Sequence, residues 1–100
     1  MAYAIDNLPA IHPGSFLRDE LAALHLSARR FADHIGVPPN AVTSIMNGER
    51  SITAQMAIRL GQAVGTTAEY WMNLQAIYDL KRARAELPPA AREIRQIVAA

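Results

Sequence analysis

No cysteine occurs among the 100 residues, which excludes a disulfide scaffold, a thiolate nucleophile and any cysteine-based zinc site. Charge is scarce as well: ten Lys and Arg stand against nine Asp and Glu, for a formal net charge of +1. That balance is weaker than the basic footprint of a typical nucleic-acid binder. Long apolar runs are missing too. The opening stretch MAYAIDNLPAIHPG has neither a basic start nor an extended apolar segment, so neither signal peptide nor membrane span is expected, and the cytoplasm is the default location. His12, His25 and His34 share no metal-ligand spacing, and no stretch resembles a nucleophile elbow, a phosphate loop or a zinc helix. Asp19 and Glu20 are adjacent on a helical segment and point apart, which disfavours an acid/base pair. Neither an enzyme nor a cofactor, metal site or small-molecule substrate is expected.

What the chain does have is 51% hydrophobic residues in helical spacing, enough for one domain with a modest core. Ser27 to Arg50, SARRFADHIGVPPNAVTSIMNGER, reads as two short helices around a glycine-containing turn, the spacing of a helix-turn-helix. Ser27 can cap the first, and Phe31, Ala32 and Ile35 make its buried stripe. Gly36 stands where the turn calls for positive φ. The second helix starts near Pro39, after Pro38, because fixed φ and missing N–H groups suit a first turn. Val42, Ile45 and Met46 are its apolar positions, and Asn47-Gly48 supplies a left-handed terminator. Asn40, Thr43, Ser44 and Asn47 are left on the outward side.

Such a face can hydrogen-bond base edges in the major groove, and Asn pairs best with the N6/N7 edge of adenine. Pro39, Asn40, Thr43 and Ser44 are the candidate base-reading positions, with Asn40 leading. Ser27, Arg29, Arg30, Asn47 and Arg50 are candidate contacts to the DNA backbone, which position a protein without carrying sequence information. Helix capping and a solvated surface account for the same residue types.

The rest of the chain also reads as helical. Leu17, Leu21 and Leu24, with Phe16 beside them, mark a first helix starting shortly after Pro13-Gly14. Ile52, Met56, Leu60 and Ala63 mark a fourth, capped by Ser51 or Thr53 and closed by Gly65. Thr66 and Glu69 have the spacing of a capping box that opens a fifth. Tyr70, Trp71, Leu74, Ile77 and Tyr78 give this helix an apolar band wider than one small core needs, which points to a dimer surface; packing on the first and fourth helices is the alternative. Leu87-Pro88-Pro89 breaks it. Beyond lies a short amphipathic turn with Ile94, Ile97 and Val98 on its edge, which can pack on the dimer, fold on another protein or remain mobile, packing or partner contact being the expectation. The fold class is therefore all-α: five helices, with residues 1–86 as one domain that includes a dimerisation helix at about 66–84, and residues 87–100 as a short C-terminal extension.

Three blocks carry a resemblance over about three quarters of the chain: IHPGSFLRDEL (Ile11 to Leu21), FADHIGVPPNAVTSIMNGERSIT (Phe31 to Thr53) and GTTAEYWMNLQAIYDLKRAR (Gly65 to Arg84). They resemble the HigA-type antitoxins, a branch of the Cro/repressor-like helix-turn-helix family. The resemblance implies a homodimeric antidote that represses its own operon by binding double-stranded operator DNA and neutralises a RelE-like mRNA interferase toxin. Against the family pattern, Ala41 stands where arginine is common, Thr43 where asparagine is common and Glu49 where a basic residue is common. These departures and the small net charge keep two other readings open: a stand-alone transcriptional repressor, and a protein-interaction bundle that no longer binds DNA. Charge is nonetheless segregated, with Lys81, Arg82, Arg84, Arg92 and Arg95 against only Glu86 and Glu93 from residue 81 onward.

Overall fold

The computed structural model describes residues 8–99. The expectation of no signal peptide or span in the first seven residues, and the start of the 1–86 unit, lie outside the described residues. The helices are α1 (Pro13–Ala23), α2 (Ala28–Ile35), α3 (Pro39–Met46), α4 (Ala54–Val64), α5 (Ala68–Glu86) and α6 (Pro89–Arg92). No strand occurs among the described residues, so five packed helices and a four-residue sixth make an all-α fold.

Local chemistry sets most boundaries. α1 begins at Pro13 itself, not after the Pro-Gly pair, because His12 caps it: the imidazole Nδ1 accepts the Gly14 N–H at 2.9 Å, and Pro13 has no N–H to leave unpaired. Leu17 and Leu21 are buried, whereas Leu24 sits past the last turn as C-cap and is exposed. α2 starts from Ser27, whose Oγ accepts the Arg30 N–H at 3.2 Å, and ends at Gly36 with φ +75°. α3 follows with Pro39 in its first position and stops at Asn47-Gly48, where Gly48 takes φ +76°. α4 is capped by Thr53 rather than Ser51, and closes at Gly65 in the left-handed region.

The cap of α5 falls one residue later than the capping-box spacing predicts. Thr67 Oγ1 accepts the Tyr70 N–H at 3.0 Å, while Thr66 Oγ1 accepts the indole N–H of Trp71 at 2.8 Å. A buried indole needs an acceptor, and meeting that need takes Thr66 out of the cap.

The core joins Leu17 and Leu21 of α1, Phe31, Ala32 and Ile35 of α2, Val42 and Ile45 of α3, Ile52, Met56, Ala57 and Leu60 around α4, and Trp71 of α5. Met46 and Ala63 pack against it half-buried. Each fully buried large apolar side chain contributes about 1.5–3 kcal/mol relative to exposure. Trp71 is 0% exposed in the single chain and therefore belongs to this core, not to a dimer surface as its place in the apolar band led us to expect. α1 reaches α3 at very close range: a Cβ on Gly14 would fall 1.8 Å from the Ile45 carbonyl oxygen, a distance only a hydrogen can fill.

Polar side chains complete the packing. Arg59 of α4 donates to the carbonyl of Ile35 at the end of α2, where a cation also meets the negative end of the helix dipole. Arg92 donates to the carbonyls of Leu87 (3.1 Å) and Arg84 (3.3 Å) at the end of α5. α6 spans four residues, and Ile94, Ile97 and Val98 stand exposed, Ile97 at 94%. So short a helix has too few internal hydrogen bonds to offset its ordering entropy unless something covers its apolar edge.

Candidate nucleic-acid interface

α2 and α3 form a rigid pair because their joint is fully hydrogen-bonded. The Gly36 N–H reaches the Asp33 carbonyl at 3.3 Å, and the Val37 N–H reaches back to the Ala32 carbonyl at 3.0 Å, the double closure of a left-handed C-terminal turn. Pro38 then holds extended backbone at φ −64°, ψ 146°, which aims α3 away at once.

With Val42 and Ile45 anchored in the core, α3 turns Pro39, Asn40 and Thr43 outward, all exposed, and Ser44 half outward. Asn40 stands free at the leading end, with both amide donors and its carbonyl available. Thr43 is partly engaged: its hydroxyl donates to the carbonyls of Pro39 (3.3 Å) and Asn40 (3.4 Å), which leaves the oxygen as acceptor and the methyl group for apolar contact. Ala41 lies inward. It is 6% exposed and lies in the core beside Val42 and Ile45, so its methyl group serves packing and takes no place on the reading face.

The trailing end of α3 is clamped from α1. Arg18 Nη2 donates to the Met46 carbonyl at 3.2 Å and to Asn47 Oδ1 at 3.1 Å. Asn47 is thus tied to its own chain through its acceptor and keeps only its NH2 donors for a phosphate. Ser27, Arg29, Arg30 and Arg50 are exposed, and the Ser27 oxygen already accepts at the α2 cap, leaving its hydroxyl proton as the group it can offer. Glu49 is exposed beside Arg50.

Three positioning features escaped the sequence. Arg18 carried no signal, because a pair 29 positions apart has no local spacing rule. Gln75 was hidden among apolar neighbours of α5, yet it is only 4% exposed. His12 was legible in principle, since a side-chain acceptor immediately before a proline is a helix-start signature. Its ring meets Tyr78 of α5 edge to face, with centroids 4.8 Å apart and planes at 72°. Burial holds the His12 pKa below its ordinary value of 6.5, with Arg82 adding slightly; Asp79 and a hydrogen bond to the Arg50 backbone oppose this.

On α5, Tyr70 and Ile77 are exposed, and Leu74 and Tyr78 are half-buried. Leu74, Ile77 and Lys81 line an apolar cleft with Leu8, Pro9, Ile11 and Phe16, bridged where Lys81 Nζ donates to the Leu8 carbonyl at 2.8 Å. Among the described residues, no three His, Asp or Glu side chains come together to hold a metal ion, and no helix is long and apolar enough to cross a membrane.

A clamped pair of helices with one polar end turned outward defines a helix-turn-helix protein, and residues 17–71 match the family described as helix-turn-helix. Virulence-associated protein I of Dichelobacter nodosus is 42% identical over 82 residues, spanning 81% of this chain and 76% of that one. An addiction module antidote protein of the HigA family from Coxiella burnetii superposes with a TM-score of 0.84 at 43% identity, covering 90% of this chain and 100% of that one. Antitoxin HigA of Pseudomonas aeruginosa, solved with higBA promoter, gives 0.83 at 40% identity, with 89% and 99% covered. The chain belongs to the HigA-type antitoxins within the Cro/repressor-like helix-turn-helix family.

Proposed function

We propose that this chain is the antitoxin of a type II toxin-antitoxin module: a cytoplasmic homodimer that binds a specific operator, represses its own operon and neutralises a RelE-like mRNA interferase. The observation that carries the DNA reading is the fixed, outward display of Asn40, Thr43 and Ser44 on a helix held at both ends, by the Gly36 turn and by Arg18. In this reading Pro39, Asn40, Thr43 and Ser44 face base edges, while Ser27, Arg29, Arg30, Asn47 and Arg50 meet phosphates. The Pseudomonas antitoxin's promoter complex supports it by likeness. Two reading helices then sit about one duplex turn apart, ~34 Å, on a pseudo-palindromic site. Tyr70, Leu74, Ile77 and Tyr78 of α5 supply the dimer surface. The small net charge is compatible with this because a dimer doubles the exposed arginines Arg29, Arg30 and Arg50.

The test is selection of duplexes from a random library, followed by titration of the enriched duplex at several salt concentrations. A reproducible motif with affinity that falls linearly in log salt is expected. Failure to enrich any motif overturns the DNA reading. Co-purification with the product of an adjacent gene for a small basic protein tests the toxin reading, and its absence favours a stand-alone repressor.

A further inference from the structure

His12 meets three separate parts of the fold at the trailing end of α3. Its Nδ1 accepts the Gly14 N–H of α1, its ring packs edge to face on Tyr78 of α5, and it lies beside Gly48 in the turn after α3. The ring also rests against the turn that closes α3: a Cβ built on Gly48 would lie 3.7 Å from it. We propose that His12 is a positioning residue for DNA recognition, seating the first turn of α1 against the Ile45 carbonyl, and with it the register of α3, only while its imidazole is neutral. The proposal rests on the DNA-binding reading above.

The chemistry follows from the two ring nitrogens. Because Nδ1 accepts from Gly14, the neutral ring carries its proton on Nε2, and that nitrogen can donate to the Arg50 carbonyl. A second proton has only Nδ1 to occupy, where it faces the Gly14 N–H head on. The cap of α1 is then lost. Gly14 is the residue wedged against the Ile45 carbonyl, so any shift of the first turn of α1 is transmitted directly to α3. The groups facing the ring are Tyr78, Asp79 and Arg82 from α5, Gly14 from α1, and the Arg50 backbone from the turn after α3. Asp79 and the Arg50 backbone favour the cation and Arg82 opposes it, but burial is the largest influence and lowers the pKa from its ordinary value.

The experiment compares wild type with His12→Asn, which retains a cap acceptor but cannot titrate. Affinity for a labelled duplex enriched from a random library by the wild-type chain is measured at constant salt from about pH 7.5 to about pH 5.5. Wild type is expected to lose about fivefold relative to the variant across this range, the worth of one helix cap. Parallel profiles would overturn the proposal. Hydrogen exchange on wild type alone supplies a second measurement that needs no variant and no DNA. Protection at Gly14, Gly48 and Glu49 is expected to fall with pH while Leu60 stays protected, and unchanged protection would equally overturn it. If no duplex is enriched, the DNA reading fails on its own, and exchange still decides whether His12 seats α1 against α3.

Discussion

The side-chain carbonyl of Gln75 accepts the backbone N–H of Ile52 at 2.8 Å, tying α5 to the segment that joins α3 to α4. The same amide donates to Asp79 Oδ1 at 3.0 Å, so a single buried polar group is satisfied at both ends. Gln75→Leu removes the side-chain acceptor of the Ile52 N–H and should cost about 1–3 kcal/mol. Urea unfolding monitored through the fluorescence of Trp71 measures this, and an unchanged midpoint would contradict the assignment.

Gly14→Ala tests the contact between α1 and α3. The added methyl group cannot coexist with the Ile45 carbonyl at 1.8 Å, so the helices must part, at a cost of about 1–3 kcal/mol from overpacking. Helix propensity alone predicts the opposite sign, since alanine is the better helix former by about 1 kcal/mol. A thermal midpoint that rises in the variant would refute the close approach.

The apolar band of α5 divides into two roles that mutation can separate. Trp71→Ala should destabilise the fold by about 3–5 kcal/mol, because the indole is buried and its N–H is bonded to Thr66. Ile77 is 56% exposed, and Ile77→Asp should leave monomer stability nearly unchanged while shifting sedimentation from dimer to monomer. A dimer that survives Ile77→Asp would remove this face from the proposed interface.

Much of this architecture was legible, and the exceptions share a cause. Ser27, Gly36, Pro39 and Gly65 act through neighbours in sequence, so their caps and turns follow from local rules. The stripes of α2, α3 and α4 also follow from spacing. Trp71 was misplaced because a period of 3.6 gives the width of an apolar face but not which part of it the same chain covers. Thr66 was misassigned as a cap because a tertiary demand, the indole N–H, outranked a local one. Arg18, Arg59 and Gln75 all act across 23 to 29 positions, beyond the reach of any pattern rule.

The lowered pKa of His12 has a consequence for stability with a definite sign. The folded state binds the proton less readily than the unfolded chain, whose histidine titrates near 6.5. The contribution is fully present above that value and is lost as the pH falls below it toward the folded pKa. Unfolding free energy measured across this window should decline in wild type and decline less in His12→Asn. Identical slopes would contradict the burial that sets the shift.

The central claim is that the outward end of α3 distinguishes one duplex sequence from another, and competition binding tests it most directly. Asn40→Ala combined with Thr43→Ala is titrated at fixed salt against the enriched duplex and a scrambled duplex of equal length. The account predicts loss of about 1–3 kcal/mol of discrimination per well-made base contact, with affinity for scrambled duplex and the unfolding midpoint both retained. Discrimination equal to that of the wild type would contradict it.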